Sequence, residues 1–273
     1  MQKFSGLLFC TDLDGTLYSD NKTVSRQNLD AIEYFKSESG LFTFITGRVP
    51  MTSGAICRTI RPNAPFGCLN GGGIYDYDAQ RFLWNVHLPD DALELVLSVY
   101  RTLPDIGIQF NTERGIYFAR DNDATQGFRD RTGISHVICP VDAPPETLLK
   151  VVFTNYDGDR ILALADHLTH HPKADRFDFI RSEHHLYELL PKGVSKGSVL
   201  LKMAALLGID PAKTIAVGDY DNDVSMLKTA GLSFAVANAA PSAKAVAHHL
   251  TVSNNDHAIA ALIDALDRGL YQP

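Results

Sequence analysis

Four short polar clusters in this sequence carry residue types suited to moving a phosphoryl group. They are Asp12-Leu13-Asp14-Gly15-Thr16, Thr46-Gly47-Arg48, Asn70-Gly71-Gly72 and Gly218-Asp219-Tyr220-Asp221-Asn222-Asp223. A lysine, Lys196, stands within Lys192-Gly193-Val194-Ser195-Lys196-Gly197. Asp12 and Asp14 lie two apart in a turn, so each is free for a different task. One carboxylate can attack phosphorus and form an acyl phosphate, dividing one hard displacement into two. A second acid can protonate the leaving alcohol and then deprotonate the attacking water. Thr46, through a hydrogen bond, and Lys196, through charge, would hold the phosphoryl oxygens, since positioning and electrostatics dominate this chemistry. Carboxylates gathered from separate stretches into one crevice would repel each other. A divalent cation is the simplest remedy, and hard oxygen ligands favour Mg²⁺.

The clusters matter only if the chain brings them together, and the flanking pattern predicts that it does. Leu7-Leu8-Phe9-Cys10-Thr11, Leu41-Phe42-Thr43-Phe44-Ile45, Phe66-Gly67-Cys68-Leu69 and Thr214-Ile215-Ala216-Val217 are short apolar runs, each ending at one of the clusters. Such runs read as buried strands of a parallel sheet. Leu29, Ile32 and Phe35 recur at helical spacing after the first run, and Gly40 closes that helix. Pro50 suits the first turn of the next helix. Val199, Leu200, Met203, Leu206 and Leu207 form the apolar face of another helix, ending at Gly208, and Ile259, Leu262, Ile263 and Leu266 that of a last one. Leu232 to Val236 reads as a further strand. Strand–helix–strand alternation predicts right-handed crossovers and an α/β, doubly wound parallel sheet, whose ligands sit at the carboxyl ends of the strands.

The middle of the chain reads differently. Ile106–Phe110 and Ile116–Phe118 flank a polar turn like a hairpin, after a helical stretch with Leu93, Val96, Leu97 and Tyr100. Leu149–Thr154, a helix from Asp159 to His170, Arg176–Arg181 and Leu186–Leu190 make a similar set. The expectation is a core domain of residues 1–81 and 191–273, with an inserted α+β domain of residues 82–190.

Composition bounds the rest. The chain has 273 residues, 45% hydrophobic and 21% charged, with a net charge of −7, which disfavours a nucleic-acid role. No apolar run reaches ~18 residues, so no membrane span is expected. The first residues lack the pattern of a cleaved leader, and a cytoplasmic location is expected. Cys10, Cys57, Cys68 and Cys139 form no CxxC pair and read as small buried hydrophobes. The pairs His170-His171, His184-His185 and His248-His249 read as surface or loop residues, because neighbours on a regular element point apart. Arg48 is open to two readings, an ion-pair partner or a substrate contact. Arg181, His184 and His185 are candidates to face the substrate, and Trp84 reads as packing.

With these residues in view, the sequence resembles the haloacid dehalogenase superfamily in its Cof-type branch of phosphatases, over essentially the whole chain. Asp12-Leu13-Asp14-Gly15-Thr16-Leu17, Thr46-Gly47-Arg48, Lys196 in its Lys-Gly-Val-Ser-Lys-Gly setting, and Gly218 to Asp223 match the four motifs of that family in order. The resemblance implies that Asp12 is the nucleophile and a Mg²⁺ ligand. It implies that Asp14 is the general acid/base and lends its backbone carbonyl to the metal, that Asp219 is the remaining protein ligand, and that Asp223 orients water or Lys196. Asn222, Thr46, Gly47 and the backbone of Leu13 should contact phosphate, and Asn70 and Gly71 should lie near the substrate. The branch often has alanine after that Asn-Gly pair; this chain has Gly72-Gly73. Related ion-pumping ATPases carry threonine two residues after the nucleophile, so Asp14 favours hydrolysis. The 33 residues between Asp12 and Thr46 are too few for a large cap, whereas 147 separate Arg48 from Lys196, so the α/β cap falls there. The implied activity is hydrolysis of a small phosphorylated metabolite, such as a sugar phosphate, by a monomer or dimer. Two alternatives keep the same site: a phosphotransferase, and a non-catalytic phosphometabolite-binding protein.

Overall fold

Leu8, Phe9 and Cys10 are fully buried, as a strand covered on both faces must be. In the computed structural model, which describes residues 2–273, the Leu8–Thr11 strand lies between two parallel neighbours, Leu41–Phe44 and Thr214–Gly218. The sheet continues from Thr214–Gly218 through Leu232–Ala235 to His249–Leu250, all parallel. The chain thus leaves Leu8–Thr11 toward one side for the next strand and returns on the other side for the later ones. The switch point falls between Leu8–Thr11 and Thr214–Gly218, where a doubly wound sheet opens its ligand crevice. Register aligns Thr11 with both Phe44 and Val217, so Asp12 and Asp219 leave the same edge of the sheet. Stacked rings fill the space beside these strands: Phe9 on Phe42 at 5.2 Å, and Phe44 on Phe66 at 4.5 Å between centroids.

Phe66–Cys68 departs from the simple alternation. It joins the parallel sheet through a single Ile45–Gly67 bridge and pairs antiparallel with Gly73–Asp76, which neighbours Arg81–Asn85. The cause is local. Leu69, Asn70 and Gly71 all have positive φ (58°, 54° and 107°), and they turn the chain back on itself.

The Lys196–Leu207 helix starts at a capping box on Ser195 and stops at Gly208 in the left-handed conformation. Its buried stripe is Lys196, Val199, Leu200, Met203 and Ala204, spaced i, i+3, i+4, i+7 and i+8. Leu206, expected on the apolar face, is 53% exposed, because the stripe is phased from Lys196.

The chain divides into two compact units, one ending at Trp84 and resuming at Ser195, the other running from Asn85 to Val194. The second unit holds an antiparallel sheet in the order Ile116–Arg120, Gly107–Asn111, Lys150–Thr154, Leu186–Pro191, Phe177–Glu183. Ile108, Phe110, Val151, Phe153 and Leu189 share a core with Leu95, Val96 and Val99 of the Ala92–Thr102 helix and Ile161, Leu164 and Leu168 of the Gly158–Thr169 helix. The buried face of Ala92–Thr102 is thus rotated from the expected Leu93/Val96/Leu97/Tyr100 set, and Tyr100 is exposed. A further helix, Asp123–Thr132, buries only Ala124 and Thr125 and rests on an Asn122 capping box and a left-handed Gly133. The four cysteines are buried and free. Among the described residues no helix is long and apolar enough to cross a membrane.

Candidate active site

The site grows from the carboxyl edge of the parallel sheet. Asp12 follows the Leu8–Thr11 strand directly, its N–H donating to Val217 O at 2.9 Å, which ties it to the strand that ends at Asp219. Lys196, wholly buried, donates from Nζ to Asp12 Oδ1 at 2.5 Å and to Asp223 Oδ1 at 2.7 Å. Ligand oxygens of Asp12, Asp219 and Asp223 lie within 4.8 Å of one another, the one such cluster of metal-ligating side chains among the described residues.

The three carboxylates are not equivalent. Asp223 Oδ1 accepts from Lys196, and its Oδ2 accepts from the N–H groups of Asp219 and Tyr220 at 2.9 and 3.1 Å. Both oxygens are engaged, so Asp223 buttresses the lysine and the following turn. Asp12 uses Oδ1 for Lys196, and Asp219 uses Oδ1 for the Thr16 hydroxyl at 2.7 Å. Asp12 Oδ2 and Asp219 Oδ2 have no hydrogen-bond donor among the described residues. Two free carboxylate oxygens on separate strand ends, in a site with three carboxylates against one ammonium, fit Mg²⁺, which takes one or two carboxylates and completes its shell with water and phosphate.

Electrostatics agree. Burial, together with the neighbouring charges of Asp223 and Asp219, pushes the Asp12 carboxyl well above the ordinary carboxylate range, although Lys196 pulls the other way. Burial and the Asp223 charge push Asp219 up to about 7. For Lys196 burial favours the neutral amine, but Asp12 and Asp223 outweigh it and hold the amine charged. The cluster is short of positive charge.

Asp14 sits apart from this cluster. Arg48 grips its carboxylate with two bonds, Nε to Oδ2 at 3.0 Å and Nη2 to Oδ1 at 2.9 Å, and Lys22 adds a third at 3.1 Å. Burial alone would raise the Asp14 carboxyl, but these cations outweigh it and hold it below the usual range. The ion-pair reading of Arg48 is therefore the one realised, and the guanidinium also lies 5.3 Å from the Tyr18 ring centroid.

The Thr46 and Asn70 loops are stitched together. Asn70 N–H donates to Thr46 O, Leu69 N–H to Arg48 O, and Arg48 N–H to Thr46 Oγ1. Asn222 Nδ2 donates to Asn70 Oδ1 at 3.0 Å, leaving Asn70 Nδ2 buried without a partner. A Cβ on Gly47 would come within 2.9 Å of Asn70 Oδ1, so glycine permits this approach. Leu13 is buried, and its carbonyl accepts from Tyr18 N–H at 2.8 Å. A Cβ on Gly71 would fall 2.1 Å from Ser195 O, so the Asn70-Gly71 turn touches the start of the Lys196 helix.

Arg181, His184 and His185 belong to the second unit, as does Lys192. Lys192 pairs with Asp178 at 3.0 Å. The His184 and His185 rings lie tilted at 58° to each other in the second unit, 4.6 Å between centroids, and Arg181 donates to the His184 carbonyl at 2.7 Å. Trp84 lies under the Lys202 ammonium. Thr16 and Lys22 were not singled out from the sequence. Thr16 stands inside a motif that drew attention to its aspartates, and Lys22 follows it in a polar stretch with no periodicity to mark it.

This geometry has a family. Residues 9–263 match the haloacid dehalogenase-like hydrolases. The chain belongs to that family. A 5-amino-6-(5-phospho-D-ribitylamino)uracil phosphatase of Bacillus subtilis is 27% identical, covering 95% of this chain and 98% of the relative. An HMP-PP phosphatase of Escherichia coli is 28% identical over 88% of each chain. Among solved haloacid dehalogenase-family folds, a hydrolase from Bacteroides thetaiotaomicron superposes with a TM-score of 0.80 at 22% identity, covering 97% of this chain and 99% of its own. A subclass IIB sugar phosphatase superposes with 0.84 at 17% identity, over 97% and 100%.

Proposed function

We propose that this haloacid dehalogenase-family protein is a Mg²⁺-dependent phosphatase of small phosphorylated metabolites, sugar phosphates among them. The observation that carries the reading is the Lys196 ammonium held between Asp12 and Asp223, with the Asp219 carboxylate alongside. The phosphatase names of relatives that align along nearly the whole chain support it.

Asp12 Oδ2 and Asp219 Oδ2 would hold the metal, with the Asp14 backbone carbonyl. Bound Mg²⁺ supplies positive charge that screens the nucleophile from an anionic ester and steadies charge on the transferring group. Asp12 attacks phosphorus through its side chain, the ester oxygen leaves, and an aspartyl phosphate forms on Asp12. Asp14, which Arg48 and Lys22 keep ionised in the free site, first takes up a proton from solvent, gives it to the departing oxygen and then takes one from the water that attacks the aspartyl phosphate, so phosphate is released and Asp12 restored. Lys196 offsets charge on Asp12 and the phosphoryl oxygens. Thr46, Gly47, Asn222 and the Leu13 backbone contact the phosphoryl group, and Asn70 Nδ2, buried without a partner, is a donor ready for a ligand oxygen near Gly71. Asp223 acts through Lys196. Selection of the leaving group belongs to the inserted unit.

The test is Asp12→Asn, which removes the nucleophile while keeping shape. It is expected to abolish turnover of small phosphate monoesters with thermal unfolding unchanged, and chelation of the metal to do the same in the unsubstituted protein. Mg²⁺-dependent turnover surviving in D12N would reject the nucleophile.

A further inference from the structure

Asp219 can serve a metal only if the correct oxygen faces it, and the structure contains a device for that. Asp219 Oδ1 accepts the Thr16 hydroxyl at 2.7 Å, and Thr16 is fully buried. Gly15 packs against the same carboxylate so closely that a Cβ there would stand 2.5 Å from Asp219 Oδ2 and 3.2 Å from Oδ1. Gly15 has φ +83°, a conformation natural to glycine, and its carbonyl accepts from Asn238 Nδ2 at 2.8 Å, which fixes the loop in place. The Asp219 carboxylate is thus cradled by two consecutive residues of the Asp12 loop: glycine makes room, and threonine supplies the bond.

We propose that Thr16 is a positioning residue for the metal, holding Asp219 Oδ1 so that Oδ2 alone is presented to Mg²⁺. The assignment rests on the reading of Asp12 and Asp219 as Mg²⁺ ligands. A carboxylate with both oxygens unrestrained rotates about its last bond, and each binding event must then order it. A donor fixed on one oxygen removes that freedom beforehand, and loss of such outer partners typically weakens metal binding ~10–100-fold. Thr16 also joins the strand end that carries the nucleophile to the strand end that carries the second ligand, which keeps the two donor oxygens in one geometry.

The experiment measures Mg²⁺ affinity of the full chain by calorimetry, without substrate, for the unsubstituted protein, Thr16→Ala and Thr16→Ser. T16A is expected to bind Mg²⁺ ~10–100-fold more weakly, and T16S, which keeps the hydroxyl, to bind within about threefold of the unsubstituted protein. Should T16A not fold, Thr16→Val keeps the volume, lacks the donor and carries the same expectation. Equal affinity in all variants overturns the positioning role and leaves the Mg²⁺ reading standing. Equal weakening in T16A and T16S assigns the effect to packing of the methyl group and also overturns it. Absence of Mg²⁺ binding in the unsubstituted protein overturns the metal reading, and this proposal with it.

Discussion

At the scale of residues, the arrangement separates two aspartates that the sequence places only two positions apart. Asp12 enters a cluster of carboxylates around Lys196, while Asp14 is drawn to Arg48 and Lys22. The bidentate grip fixes the plane of the Asp14 carboxylate, which a point-like lysine could not do alone. Removing it leaves Asp14 free to turn toward other partners. Arg48→Met is therefore expected to lower kcat on alkyl phosphates by ~10²-fold, the scale of general acid–base assistance. On p-nitrophenyl phosphate, whose leaving group departs without a proton, the loss should be several times smaller. Equal losses on both substrates would show that Arg48 does not act through Asp14. What residue types in order made legible is the gathering of Asp12, Asp219, Asp223 and Lys196 at one place. The partners of those groups were not legible. Nothing in a lone sequence tells whether Arg48 faces an anion of the chain or of a ligand, and a threonine hydroxyl beside two aspartates has no pattern of its own.

At the scale of elements, buried apolar strands were the readable part, because four fully covered residues in a row leave little choice of composition. The Asp123–Thr132 helix was unreadable for the opposite reason, since it buries so little that its existence rests on caps. The antiparallel partner of Phe66–Cys68 depends on three successive positive-φ residues, of which only Gly71 announces itself in the sequence. Gly71 also has the most exacting surroundings in the site, because its missing side chain is where Ser195 O passes. Gly71→Ala must relieve both a clash with backbone and a strained φ, and strain of that kind costs about 1–3 kcal/mol before the clash is counted. The expected outcome is a loss of at least ~2 kcal/mol in denaturant unfolding, together with lower turnover, because the displaced backbone is the cap of the helix that carries Lys196. Ser195→Ala, which deletes only the cap hydroxyl, should cost about 1 kcal/mol. A G71A protein as stable as the unsubstituted one would mean that the close approach is not maintained in solution.

At the scale of the whole molecule, groups in the two units set opposite pH trends. His185, in the inserted unit, has its pKa lowered to about 4 by burial and by the neighbouring His184. Its unfolded form binds a proton below about 6.5 while the folded form resists it, so stability rises with pH between about 4 and 6.5. Asp219, in the unit with the parallel sheet, is raised to about 7. The sign there is reversed: the folded carboxyl keeps its proton where the unfolded one has lost it, so the stabilising contribution is complete below about pH 4 and disappears as pH rises through 7. Asp14, held below its ordinary value, acts only under more acid conditions. Between about pH 4 and 6.5 the two contributions oppose each other, and above that only the fall from Asp219 is left, so the metal-free protein should unfold at a lower temperature once pH has passed through about 7 than at pH 6.5, and change little beyond. Mg²⁺ competes with the proton on Asp219, so its stabilising effect should grow over the same interval. Thermal unfolding across that range with and without Mg²⁺, compared with Asp219→Asn, checks both halves. The substitution removes the titrating carboxyl and weakens the metal site, so it should flatten the fall above pH 6.5 and diminish the response to Mg²⁺. Below pH 6.5 it should uncover the rise set by His185, which the opposite trend of Asp219 offsets in the unsubstituted protein. A metal-free protein whose stability does not change above pH 6.5 would show that the carboxylate cluster around Asp219 carries no electrostatic strain for a cation to relieve.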